Sequence, residues 1–163
     1  MAEVVYTTEA HAEERGSTVL VVSCTGYANQ APVREFLERC LMLPEGSYNL
    51  LAVPGGPHFL LLSEYLPKFG WVGQKWLRFA VDKLGVTRVI LISHEDCTWS
   101  ADERFIPALM HRLGHGEKSP SERQRDELRE AAADLRGFLP QVAFEAYFMS
   151  KGADGRGQFS REG

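Results

Sequence analysis

Apolar residues gather in four short runs, Thr18 to Ser23, Tyr48 to Val53, Arg88 to Ser93 and Val142 to Met149, each rich in β-branched or aromatic side chains. Runs of this length and composition predict strands. The unbroken Val89-Ile90-Leu91-Ile92 predicts a sheet covered on both faces, because a strand with one wet face alternates instead. Between the runs the period changes to that of a helix. Pro32 to Leu43 puts Val33, Phe36, Leu37, Cys40 and Leu41 on one face, and Val72 to Leu84 does the same with Trp76, Phe79, Ala80 and Leu84. Two later helices have readable starts, a capping box of Ser100 with Glu103 and another of Ser119 with Glu122, the second helix ending before Pro140. Alternation of strand and helix, joined by right-handed crossovers, predicts a three-layer, Rossmann-like α/β domain. Its central sheet is mainly parallel, in the order 2-1-3-4. The glycine-rich tail after Lys151 can add an antiparallel edge strand near Gln158 and Phe159.

Composition narrows the function classes. At 163 residues, one domain over 18–163 is expected, with 1–17 as a polar N-terminal arm. That arm lacks the basic start and apolar centre of a secretory signal, and no run approaches the roughly 20 apolar residues of a membrane span. A cytoplasmic protein without a membrane partner is expected. Net charge is −4, from 22 acidic and 18 basic side chains, and no basic stripe suits a phosphate backbone, so nucleic acid is not an expected partner. Three cysteines in a reducing compartment make no disulfide framework, so each is core, ligand or nucleophile.

Cys24 follows the first predicted strand, and His94 with Cys97 follows the third. In the order 2-1-3-4 these strands are neighbours whose crossovers leave in opposite directions, opening a crevice at the carboxyl edge where α/β sheets bind ligands. Two thiolates and an imidazole converging there suit zinc, with a fourth tetrahedral position left for water or substrate. The competing reading takes both cysteines as small buried residues and His94 as a satisfied loop residue. Cys40, on an apolar helix face, reads as core. Gly55 and Gly56 read as a tight turn, and His111 and His115, interrupted by Gly114, as surface histidines.

The stretch Trp76 to Thr98, with Phe79-Ala80-Val81, Leu84-Gly85-Val86 and His94-Glu95-Asp96-Cys97, resembles the helix, turn, strand and His-x-x-Cys segment of β-carbonic anhydrases. Ser23-Cys24-Thr25 is similar to the position of that family's first zinc cysteine, Val53-Pro54-Gly55-Gly56 to its glycine-containing loop, and Tyr147 to Phe159 to its final strands. The resemblance implies a dimeric zinc lyase that hydrates carbon dioxide, with Cys24, His94 and Cys97 on the metal. A homodimer also accords with the aromatic cluster Phe69, Trp71 and Trp76.

The chain departs from the family at its first motif. Where the family has Cys-x-Asp-x-Arg, this sequence has Cys24-Thr25-Gly26-Tyr27-Ala28, and Thr98 replaces the glycine expected after the second cysteine. The missing pair orients the zinc-bound water in that family. Substitutes on predicted loops at the same edge are Glu95 and Asp96 as catalytic carboxylates, then Tyr27, Gln30 and His58. The expected function is therefore a zinc-water lyase or hydrolase acting on a small electrophile, with weak or no carbon dioxide hydration. One rival is a non-catalytic zinc-stabilised sensor or assembly subunit. The other is a cysteine-nucleophile enzyme, although no arginine stands six residues after Cys24 or Cys97 to clamp a phosphate.

Overall fold

The computed structural model describes residues 5–8, 16–61, 67–101 and 118–163. Strands β1 (Val19–Cys24), β2 (Asn49–Val53), β3 (Arg88–His94), β4 (Ala143–Lys151) and β5 (Gly157–Arg161) alternate with helices α1 (Tyr27–Arg39), α2 (His58–Leu61), α3 (Pro67–Leu84) and α4 (Pro120–Phe138). The sheet order is β2-β1-β3-β4-β5, parallel except for the antiparallel β4–β5 pair. The expected order and edge strand are therefore both present.

Three layers follow from the alternation of side chains along each strand. Val21, Ile90, Ile92 and Tyr147 point to one face, where Val33, Phe36 and Leu37 of α1 cover them. Leu20, Val22, Val89, Leu91, Ala146 and Phe148 point to the other, against Phe59 and Leu60 of α2, Leu77 and Ala80 of α3, and Leu128, Ala132 and Leu135 of α4. Burial on both faces is why these strands read as continuous apolar runs. Ser119 caps α4 as expected, its hydroxyl accepting from the Glu122 amide while the Glu122 carboxylate accepts from the Ser119 amide.

Two helical expectations need correction. α1 begins at Tyr27, ahead of Pro32, and ends at Arg39. Its first turn faces the cleft instead of the core, so no apolar period marks it. Cys40 becomes the exposed C-cap residue, not core. α3 begins at Pro67, and its buried line is Gly73, Leu77 and Ala80. A Cβ at Gly73 would lie 2.9 Å from Leu60 and 3.3 Å from Phe59, so small residues let α3 rest on α2. The bulky Trp76, Phe79 and Leu84 are turned outward, 44%, 56% and 43% exposed. Glu103, His111 and His115 lie outside the described residues, as does the side chain of Phe69. No described helix is long and apolar enough to cross a membrane.

Candidate metal centre

Cys24 is the last residue of β1, paired in register with Val53. The turn after β2 folds back over it: the Gly56 amide donates to the Val53 carbonyl at 2.9 Å and the Thr25 amide to the same carbonyl at 3.3 Å. Gly55 and Gly56 take φ of 78° and 55°, the left-handed region that glycine enters without penalty. His94 ends β3 opposite Met149, whose carbonyl accepts from the Glu95 amide at 3.0 Å. Asp96, at φ 55°, then reverses the chain and returns Cys97 to the interior.

These turns bring the three side chains together. The sulfurs of Cys24 and Cys97 are 3.9 Å apart, and the donor atoms of Cys24, His94 and Cys97 all lie within 4.8 Å of one another. His94 Nδ1 lies 2.7 Å from the Glu95 carbonyl, which as an acceptor fixes the ring proton on Nδ1. Nε2 is then a lone pair, buried and without a hydrogen-bond partner. A buried acceptor left unpaired is costly unless something electropositive fills the place. The group could hold a metal ion.

The electrostatics agree. Cys24 is drawn down to about 3, first by the hydrogen bond from Cys97, then against its own burial by His94 and the backbone amides of Gly26 and Gly55. Cys97 is pushed up by donating to that thiolate and by burial. Burial disfavours a charged His94, but the Cys24 sulfur and the Glu95 carbonyl outweigh it and raise its value. In the absence of a cation the three groups share protons, which a bound metal displaces.

The donors open into a cleft of about 410 Å³ whose walls include Tyr27, Ala28, Pro54, Asp96, Trp99 and Met149. Of the other residues singled out in the sequence, Glu95 half-buries its carboxylate against the Lys151 backbone amide, which donates to it, and Asp96 sits exposed on the rim. Tyr27 and Gln30 belong to α1 and not to a loop; Tyr27 lines the cleft, whereas Gln30 donates to the Thr25 carbonyl at 3.5 Å. His58 is not a loop residue either. It opens α2, buried between Ser93 and Glu127. Trp99 was not anticipated; its ring occupies the space a Cβ on Gly55 would need, 2.3 Å from Cδ1, so that glycine was its one sequence signal.

No family model matches the sequence, and no curated protein matches it. Solved structures do resemble the fold. A carbonic anhydrase from Streptococcus mutans aligns at TM-score 0.58 and 15% identity, over 96% of this chain and 88% of that one. Tetrameric β-carbonic anhydrases from Sordaria macrospora align at 0.54 and 14%, over 91% and 82%. A carbon disulfide hydrolase in its apo form aligns at 0.52 and 14%, over 88% and 78%.

Proposed function

We propose that this chain, which has the β-carbonic anhydrase-like fold, holds one zinc ion on Cys24, His94 and Cys97 and catalyses attack of water on a small electrophile, hydrating carbon dioxide weakly or not at all. The observation that carries the reading is the unpaired Nε2 of His94 facing two sulfurs 3.9 Å apart. Two thiolates on a tetrahedral zinc with bonds of about 2.3 Å sit about 3.8 Å from each other. Zinc held by these three residues would supply Lewis acidity and make a bound water more acidic.

The chain's own residues do the rest. The backbone amides of Gly26 and Gly55 favour the thiolate form of Cys24, and those of Trp99 and Ser100 that of Cys97, the form in which each would bind a metal. Pro54, Trp99 and Met149 form an apolar wall that accepts a small uncharged molecule. Gly26 and Ala28 bring neither a carboxylate to orient water nor a cation to hold an anionic product. Of the two nearby carboxylates, Glu95 is engaged with Lys151, so we assign proton acceptance to Asp96 on the rim. Carbon disulfide, for which one structural neighbour is named, is a small uncharged electrophile of the required kind.

About one zinc per chain is expected in the purified protein, with occupancy lost in Cys24→Ser, His94→Ala and Cys97→Ser. Full metal content in Cys24→Ser would refute the ligand set. Stopped-flow assays with carbon dioxide and with carbon disulfide test the chemistry: rapid carbon dioxide turnover at pH 7, abolished by His94→Ala, would overturn the reading. We also propose a homodimer, supported by Trp71 and Phe79, 57% and 56% exposed on α3, and by exposed Leu50 on the edge strand β2. A purely monomeric sedimentation profile at micromolar concentration would count against it.

A further inference from the structure

Beneath the sheet, on the side away from α1, three polar side chains are buried together. His58 Nε2 lies 2.7 Å from Ser93 Oγ, and His58 Nδ1 lies 2.7 Å from Glu127 Oε2, a close approach whose geometry falls short of a hydrogen bond. They are 4%, 2% and 5% exposed. None lines the cleft, so the trio is not a nucleophile with its base, despite having those residue types. Burying three polar groups in an apolar layer is costly, and a fully apolar cluster would pack as well.

Their positions say what they hold. His58 opens α2 immediately after the turn at 54–57, Ser93 precedes His94 on β3, and Glu127 is on α4. The carboxylate beside Nδ1 favours a proton there, leaving Nε2 to accept from the Ser93 hydroxyl. One ring thus fastens the turn to the strand that carries His94. The turn needs such a fastening, because two successive glycines give it unusual backbone freedom. At its near end the turn packs on the Cys24 backbone, a Cβ on Gly56 lying only 2.9 Å from the Cys24 amide nitrogen, and the Gly56 amide donates to the carbonyl of Val53, the register partner of Cys24, at 2.9 Å; at its far end the His58 amide donates to the Gly55 carbonyl at 3.3 Å.

We propose that Glu127, His58 and Ser93 are positioning residues for the metal site, acting through the turn that packs on the backbone of Cys24. The proposal rests on the metal reading above. Outer groups that hold a ligand's backbone in place keep its donor atom aimed at the metal, and loss of such outer partners typically lowers metal affinity about 10–100-fold.

The test compares wild type with Ser93→Ala, His58→Gln, His58→Ala and, as a control, Val142→Ala, a buried truncation in the same apolar layer. Zinc affinity is measured by chelator competition, and the thiolate-to-cobalt absorption band is recorded on cobalt-loaded protein. Ser93→Ala and His58→Ala should bind zinc about 10–100-fold more weakly and shift the cobalt band. His58→Gln, which keeps a side-chain amide near Ser93, should recover part of the loss. Val142→Ala should lower the melting temperature and leave affinity and band unchanged. If His58→Ala does not fold, Ser93→Ala, which removes a single hydroxyl, decides the matter. Wild-type affinity and spectrum in Ser93→Ala, or an equal loss in Val142→Ala, overturns the positioning role alone. A wild type that binds neither ion sinks the metal reading and this proposal with it.

Discussion

Gly56 marks a close backbone approach beside the candidate metal ligands. A Cβ there would lie 2.9 Å from the Cys24 amide nitrogen and 3.0 Å from the Ser23 carbonyl carbon, at φ 55°. Backbone atoms in a paired strand cannot swing aside, so Gly56→Ala is expected to cost about 1–3 kcal/mol in urea unfolding and to lower zinc occupancy as well. Cys40→Ser, at an exposed cap, should change stability by less than about 0.5 kcal/mol. Cys24, His94 and Cys97 were legible in the sequence because the apolar runs delimit the ends of β1 and β3, where Cys24 and His94 sit, and Cys97 follows within three residues. His58 stood out in the sequence only as a loop residue at that edge; its burial against Ser93, 35 residues away, is announced by no local pattern. Cys40 reads wrongly as core because an apolar period continues one residue past the last helical turn.

Neighbouring strands β3 and β4 are joined by more than their backbone ladder. The Arg88 guanidinium donates to Glu145 at 2.6 Å and the Tyr147 hydroxyl donates to its other oxygen at 2.7 Å. Arg88 above all, with help from Tyr147, holds the Glu145 carboxyl below its ordinary value. A carboxyl depressed in the folded state stabilises at pH values above its unfolded pKa of about 4.3, and that contribution fades as pH falls through the folded value. Urea melts of Glu145→Gln should therefore show a deficit at pH 7 that closes as the pH is taken below about 4. Tyr147 has the opposite sign. Burial, then Glu145, pushes it up to about 12, so its contribution persists below about pH 10 and is lost as pH rises through the folded value. Leu128→Ala, in α4 against the sheet and fully buried, should cost about 2–5 kcal/mol. The helix α4 was readable from its capping box and apolar period. The true face of α3 was not, because Gly73 set it by permitting close contact with α2, and a glycine carries no apolar signal.

At the scale of the molecule, the C-terminal strand is fastened to the helical layer: buried Glu162 receives Arg125 and Arg129 from α4, and its amide donates to Ala146 at 2.8 Å. Strand order and layering were legible because each crossover in a parallel sheet needs its own helix, and the periods change where the crossovers begin. The two candidate ligand sulfurs are 73 residues apart in the chain, at or just beyond the ends of strands that become neighbours only when the β1–β3 ladder has formed. Closing so long a loop is a late and entropically costly event in folding. A half-folded chain would offer zinc one histidine and one thiolate from a short segment and nothing opposite them. Ion binding should therefore slow the unfolding limb of a chevron plot while leaving the refolding limb where it was, because the completed grip is absent from the transition state. Zinc would then act as a latch on the finished sheet, and a chelator would shorten the lifetime of the native chain without changing how quickly it re-forms.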